Sequence, residues 1–121
     1  MATTEDTRAN GATAGAREFR VLMRMLLVAG ATSEEELEQL SIDVLEAIEA
    51  DPATQPLGIA TACEFNPAAI IIDFDVEAES LSEVHGQIGL VITAVEQRMP
   101  IEIIDGWSDT ATPSDRELVA A

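Results

Sequence analysis

Asp73 and Asp75 are the residues whose types and spacing most suggest a chemical site. They lie in the stretch Ala69–Ala78, where β-branched and aromatic residues at period two predict a strand. In a strand, two carboxylates at alternate positions point to the same face, about 7 Å apart. Nucleotidyl-transfer enzymes hold magnesium ions with acids on central strands, so a metal site is one interpretation of this pair.

The chain lacks the other residues that nucleotidyl-transfer chemistry at such a metal would need. It contains no lysine and no glycine-rich loop that could cradle a phosphate. If the strand that carries Arg20 and Arg24 lies beside this one, Asp73, Asp75 and Glu77 share a face with the two guanidinium groups. Cross-strand charge pairs are therefore the favoured interpretation, and we predict neither a metal nor a cofactor.

The other candidate catalytic groups are solitary. Cys63 is the only cysteine and His85 the only histidine, and neither stands in a recognisable relation to a second catalytic group. Cys63 alternates with Ile59 and Thr61, which predicts a small buried side chain on the inner face of its strand. His85 borders an apolar helical stripe, and we expect it to be partly buried or at the surface. An enzyme is the least supported class of function.

Residues 29–32 precede a predicted helix and correspond in position to the ligand-binding loop of small-molecule sensor domains. A helix N-terminus attracts anions. Glu34, Glu35 and Glu36 already occupy that end of the helix, so a simple connection is favoured. A small-molecule-sensing regulatory domain stays open as an alternative function.

The charge balance excludes two classes of partner. The 121 residues include 23 acids and 6 bases, for a formal net charge of −17, and all six bases are arginine. Nucleic-acid phosphate or an anionic membrane surface would require clustered basic residues. The acidity fits a lysine-poor proteome, a high-salt cytoplasm, or a functional acidic surface that docks a basic partner or imitates DNA.

Two further features bear on location. The sequence has no run of eighteen apolar residues, so we predict no membrane span. A single cysteine cannot form an internal disulfide and fits a reducing compartment. We therefore expect a cytoplasmic protein.

The first predicted element is a strand from Phe19 to Val28, after a leader (residues 1–17) that we expect to be flexible. One face of this segment is wholly apolar and the other is mixed. A helix is the rival interpretation, because leucine and methionine favour it. The alternation of Arg20 and Arg24 with apolar residues, and the break at Gly30, favour the strand.

Two capping signals predict two helices. Ser33-Glu-Glu-Glu36 is a capping box that opens an apolar stripe ending at Asp51-Pro52. Ser80-Leu-Ser-Glu83 contains a second box, which opens a helix to about Gln97. Its apolar stripe is predicted to be Leu81, Val84, Ile88, Val91, Ile92 and Val95.

Glycine interrupts the second helix twice, at Gly86 and Gly89. Each glycine costs about 1 kcal/mol relative to alanine in a helix interior. We expect these positions to let the helix approach the sheet closely.

The remaining strands are shorter. Alternation from Leu57 to Phe65 predicts a second strand, and Asn66-Pro67 is a turn that leads into Ala69–Ala78. After Pro100, residues 101–104 predict a last strand that ends near residues 105–106. We therefore expect one α+β domain over residues 18–106 and a polar tail over residues 107–121, with a short helical turn after Pro113.

The order strand, helix, strand, strand, helix, strand predicts a ferredoxin-like βαββαβ sandwich. Right-handed crossovers around a central hairpin give a four-stranded antiparallel sheet with both helices on one face. The first and third strands are then adjacent and central. This architecture hosts enzymes, sensors and binding modules, so it does not identify the function.

The sheet face opposite the helices is the most informative surface. Its predicted apolar members are Leu22, Leu26, Val28, Ala60, Ala62, Ala69 and Ile71. An apolar patch with a charged border is typical of an interface. RNA-binding modules use the same face with aromatic and basic residues, but this face has no predicted aromatic residue, so RNA binding is not favoured.

We therefore predict a small, acidic, non-catalytic interaction or accessory protein. It would self-associate as a homodimer or dock a protein partner through this face. Leu22, Leu26 and Ile71 are the expected contact residues, and Arg20, Arg24, Asp73 and Asp75 are expected to set the register. The alternatives are the sensor domain and an acidic antagonist of a basic partner.

Overall fold

A computed structural model describes residues 17–54 and 56–114 of the protein. The elements are β1 (Arg17–Leu27), α1 (Glu34–Ala50), β2 (Leu57–Glu64), β3 (Ala69–Ala78), α2 (Leu81–Glu96), a 3-10 turn (Ile101–Ile103) and β4 (Ile104–Pro113). The strands form one antiparallel sheet in the order β2-β3-β1-β4. The predicted ferredoxin-like α+β fold, with the first and third strands adjacent in the middle, is confirmed.

The core lies between the helices and one face of the sheet. The central strands contribute alternate side chains that are almost fully buried: Val21, Met23 and Met25 from β1, and Ile70, Ile72 and Phe74 from β3. The helices close this face with Leu37, Val44, Ile48, Val84, Val91 and Val95. Because aliphatic side chains at period two meet aliphatic stripes at helical spacing, a single layer of core holds the two layers of structure together. None of the helices in the described residues lies over the other sheet face.

The strand interpretation of β1 is confirmed, with slightly different ends. Odd-numbered residues from Phe19 to Leu27 are buried, and their even-numbered neighbours face outward. Arg17, which we assigned to the leader, is already in the strand, whereas Val28 lies just beyond it. The rest of the predicted leader (residues 1–16) lies outside the described residues.

Helix α1 begins as its sequence predicts. The Ser33 hydroxyl accepts a hydrogen bond from the Glu36 backbone N–H at 3.2 Å, and the Glu36 carboxylate accepts one from the Ser33 N–H at 2.8 Å. This reciprocal pair satisfies two donors that the helix itself leaves without partners. The helix ends at Ala50, where Asp51 caps it.

Helix α2 departs from prediction at its start. Ser80 accepts from the Glu83 N–H at 3.3 Å, but the Glu83 carboxylate accepts from the Glu79 N–H at 2.8 Å. The capping box is therefore only half formed. Leu81, predicted to lie in the apolar stripe, is 51% exposed, because it is the first residue of the helix and lies outside the core.

The expected role of Gly86 and Gly89 is wrong. Both residues are exposed, and a Cβ atom added at either position would meet nothing within 4 Å. The sheet lies on the other side of α2, where Val84, Ile88 and Val91 are buried. Close packing within the described chain therefore does not require these glycines.

The last strand begins later in the sequence than predicted, and it is longer. Residues 101–103 form a 3-10 turn after Pro100, and β4 pairs with β1 from Ile104 to Pro113. Residues 107–113, assigned to a polar tail, therefore lie in the sheet. Trp107 is half-buried against the core, and its Nε1 donates to the Glu96 carboxylate at 3.1 Å. The N–H of Ser114 donates to the Glu18 carbonyl, and the remainder of the predicted tail lies outside the described residues.

Strand β2 contains an irregularity that alternation did not predict. Its pairing with β3 shifts between Leu57 and Ala60, where Gly58 adopts a φ of +59°. A bulge of this kind moves the residues before it to the opposite face. Leu57 consequently pairs with Asp75 on the face away from the helices.

The prediction that Cys63 is buried is wrong. It pairs with Ile70, so it is on the predicted helix side of the sheet, but its side chain is exposed. The physical reason is that β2 is an edge strand, and this end of it projects beyond the core. His85, on α2, is exposed at the surface.

Candidate functional site

The sheet face away from the helices, which we call the open face, is an ordered grid of side chains. Residues that pair across a sheet point to the same side of it. Four rows cross the strands in the order β2, β3, β1, β4: Leu57-Asp75-Arg20-Thr112, Ala60-Asp73-Leu22-Thr110, Ala62-Ile71-Arg24-Ser108 and Glu64-Ala69-Leu26-Gly106. No helix or turn of the described chain lies over the middle of this grid.

The structure brings all seven predicted site residues together on the open face. Leu22, Leu26, Arg20 and Arg24 lie on β1, and Ile71, Asp73 and Asp75 lie on the adjacent β3. Leu22 is 42% exposed, and Leu26 and Ile71 are half-buried. Their placement follows from the alternation of each strand, since the inward positions from Phe19 to Leu27 and from Ile70 to Ala78 are all apolar.

Two predicted members of the face are positioned differently. Val28 is 40% exposed but lies past the end of β1, where its N–H donates to the Ile103 carbonyl. Ala69 belongs to the grid but is fully buried, because it is a small side chain between Leu26 and Glu64.

Arg20 and Asp73 form a two-point ion pair on this face. Arg20 Nη2 lies 2.8 Å from Asp73 Oδ2, and Arg20 Nε lies 3.2 Å from Asp73 Oδ1. The pair is diagonal, because the residue directly opposite Arg20 is Asp75. The side chains are 61% and 36% exposed, so the pair adds only about 0–1 kcal/mol to stability. Its stronger effect is to orient the planar guanidinium group.

Arg24 has a partner that sequence reasoning missed. We expected it to pair with the carboxylates of β3, but its Nη1 lies 2.9 Å from Glu64 Oε1. Glu64 is two strands away, on β2, in the row next to that of Arg24. Its alternation with Ala60 and Ala62 indicates the correct face, but nothing in the sequence specifies the pairing register of β2.

The carboxylates of β3 do not assemble a metal site within the described residues. Asp73 is held by Arg20, and nowhere in residues 17–54 and 56–114 do three His, Cys, Asp or Glu side chains come together as ligands. A shallow cleft of about 480 Å³ opens beside the first row of the grid. Its lining is mainly polar: Arg20, Gly58, Asp73, Phe74, Asp75, Thr112, Pro113 and Ser114. The cleft is thus a continuation of the open face.

The connection between β1 and α1 is a tight turn. The Ala31 N–H donates to the Val28 carbonyl at 3.0 Å, and Gly30 has a φ of +77°. The α1 N-terminus that follows carries Glu34, Glu35 and Glu36 in its first turn. These carboxylates would repel an anion at the position where the helix dipole would otherwise attract one.

Charge is distributed unequally between the two sides of the molecule. Helix α1 carries seven acids and no base: Glu34, Glu35, Glu36, Glu38, Asp43, Glu46 and Glu49. Of the four arginines in the described chain, Arg17, Arg20 and Arg24 are on β1. Among the described residues of the open face, Arg20 and Arg24 stand against five acids, so this face is also net negative: Glu18, Glu64, Asp73, Asp75 and Glu77.

Comparison with protein-family models, with curated protein sequences and with solved structures finds no match. No helix within residues 17–54 and 56–114 is long and apolar enough to cross a membrane.

Proposed function

We propose that this chain is a non-catalytic interaction protein that binds a protein surface, either a second copy or another partner, through its open face. The observation that carries the proposal is the cluster of aliphatic side chains on the sheet face that neither α1 nor α2 covers. Leu22 is 42% exposed, and Leu26 and Ile71 are half-buried close to it. Leu57, 44% exposed, lies apart from them at the edge of the same face, on β2. An antiparallel sheet with one solvated face normally places polar residues there.

The arrangement of these side chains matters more than their number. Single exposed apolar residues are common on protein surfaces and need no explanation. Leu22, Leu26 and Ile71, however, occupy neighbouring positions on the two central strands, and Ala60 and Ala62 extend the patch across β2. Small residues there leave room for another surface to approach.

The charges on the open face suit burial better than isolated charges would. Arg20 and Arg24 are each paired with a carboxylate at 2.8–2.9 Å. Removing an unpaired charge from water is far more costly than removing one that already has its partner. The ion pairs would also give a partner a fixed pattern of charge to match, which contributes specificity.

The proposal is tested by comparing two matched substitutions, each replacing an exposed aliphatic residue by glutamate, on opposite sides of the molecule. Leu22→Glu introduces a charge on the open face, and Ile42→Glu introduces one at a residue of α1 that is 48% exposed. Each tagged variant is compared with the wild type by sedimentation of the purified protein and by quantitative capture of partners from the source cell.

We expect Leu22→Glu to abolish an association that the wild type and Ile42→Glu both retain. An association that survives Leu22→Glu but is lost in Ile42→Glu would assign binding to the helix side. The absence of any association in either assay would refute the proposal.

A further inference from the structure

We infer that the occupant of the open face is a second copy of this chain, stacked sheet on sheet about a two-fold axis. The axis runs along the strands, between β1 and β3. This inference rests on the proposed function, because it requires the open face to bind protein. It adds the identity of the partner and the geometry of the contact.

The first argument is charge complementarity between the two central strands. On the open face β1 presents Arg20 and Arg24 with one acid, Glu18, whereas β3 presents three acids, Asp73, Asp75 and Glu77. A two-fold axis between these strands places β1 of one copy over β3 of the other, and each acidic column over a basic one. Arg20 then faces Asp75 of the second copy, whereas Glu18 faces Glu77 near the end of the strands, and each contact occurs twice.

The second argument is the size of the side chains on the outer strands. The same axis places β2 over β4 of the second copy. On the open face these strands carry mainly small residues, Ala60 and Ala62 on β2 and Gly106, Ser108 and Thr110 on β4. Small side chains at the margins allow two sheets to approach to about 10 Å, the usual spacing of stacked sheets.

The third argument concerns the rest of the surface. With a net charge of −17 on each chain, two copies repel one another over most approaches. Helix α1, with seven acids and no base, is the most unfavourable surface for self-contact. Stacking through the open face directs both α1 helices outward, to opposite sides of the pair. Self-association is thus least opposed where the apolar patch lies.

Two charge-reversal variants test this geometry. In Arg20→Asp both contacts between positions 20 and 75 across the axis become acid against acid, and in Asp75→Arg both become base against base. When the two variants are mixed, the hetero-pair joins opposite charges at each of these contacts. We expect each variant alone to self-associate at least about tenfold more weakly than the wild type, and the mixture to form the hetero-pair selectively.

Native mass spectrometry measures the proportions of the two homodimers and the heterodimer, and sedimentation measures the affinities. The pair Arg98→Asp and Glu49→Arg, which lies outside the open face, is the matched control and should show no such preference. Far-UV circular dichroism verifies folding. If either variant fails to fold, the milder pair Arg20→Gln and Asp75→Asn should each weaken the wild-type dimer.

The outcomes separate this inference from the proposed function. A wild-type chain that stays monomeric from micromolar to near-millimolar concentration overturns the second-copy inference, while capture of a partner lost in Leu22→Glu would still support binding through the open face. If Leu22→Glu dissociates the wild-type dimer but the two reversal variants form homodimers and heterodimers in statistical proportions, the proposed axis is overturned. Selective hetero-pairing supports it.

Discussion

Arg24 and Glu64 are joined across an intervening strand: the ion pair, 2.9 Å between Nη1 and Oε1, spans β3 from β1 to β2. Beneath it, Ala69 is fully buried on a sheet face that neither α1 nor α2 covers. The long side chains of Arg24 and Glu64 account for that burial, together with Leu26 in the same row. The open face is thereby ordered across three strands within a single chain.

Glu64→Gln should separate the structural and functional roles of this ion pair. Both side chains are about two-fifths exposed, so we expect the free energy of unfolding to fall by less than about 1 kcal/mol. Self-association should weaken several-fold, because Arg24 would be buried in the interface without a carboxylate partner. Chemical denaturation and sedimentation measure the two effects. Glu49→Gln on α1 is the control, and equal loss of association in both variants would contradict this role.

Leu26→Glu should convert the associated protein to a monomer while preserving the fold. Leu26 is half-buried on the open face, and its partner across the sheet is Ala69. A carboxylate there can remain hydrated in the monomer but not between two stacked sheets. We expect an unchanged far-UV circular dichroism spectrum and a halved mass by light scattering. A variant that keeps the wild-type mass would exclude Leu26 from the contact.

Substitution of the α2 glycines should stabilise the protein. Gly86 and Gly89 are exposed, and the space around an added Cβ is open, so alanine introduces no clash. Alanine is favoured over glycine in a helix interior by about 1 kcal/mol. Gly86→Ala and Gly89→Ala should therefore each raise the free energy of unfolding by about that amount, measured by urea denaturation. A destabilised variant would restore the interpretation that these glycines permit close packing.

The elements predicted correctly are those whose pattern is local and redundant. In β3, alternation of Ile70, Ile72, Phe74 and Val76 with Asp73 and Asp75 places both its ends as observed. In α1, the capping box and the apolar stripe agree, and both are formed. Adjacent β1 and β3 then follow from the order of elements, which is why the central residues of the open face could be placed from sequence.

The errors arise where position depends on distant parts of the chain. β4 presents Ser108, Thr110 and Thr112 on the open face, a polar pattern that resembles a tail until β1 is known to pair with it. Only Trp107 and Ala111, four residues apart and therefore on the same face of an extended segment, hinted at a strand. The bulge at Gly58 and the pairing of Glu64 with Arg24 depend on register, which local alternation does not determine.

The thiol of Cys63 should be reactive in the native protein. It is exposed on the helix side of the edge strand β2, away from the open face. A water-soluble thiol reagent should therefore modify one thiol per chain without denaturant, and association through the open face should leave that stoichiometry unchanged. Leu26→Glu is the comparison, since monomer and dimer should react alike. A thiol that reacts only after unfolding would contradict the exposed position of Cys63.

The dependence of self-association on salt has a definite sign. Each chain carries a net charge of −17, and the described part of the open face has five acids and two arginines, so repulsion between the two molecules should outweigh the few attractive pairs across the axis. Raising the ionic strength to about 0.15 M shortens the screening length to about 8 Å, which suppresses that repulsion and leaves the apolar contact intact. We therefore expect the dimer to become tighter with added sodium chloride in sedimentation experiments. An acidic protein that docks a basic partner would show the opposite trend, because salt would screen its attraction. A wild-type dimer that dissociates steadily as salt is added would show that charge pairs, rather than the apolar patch, hold the two copies together.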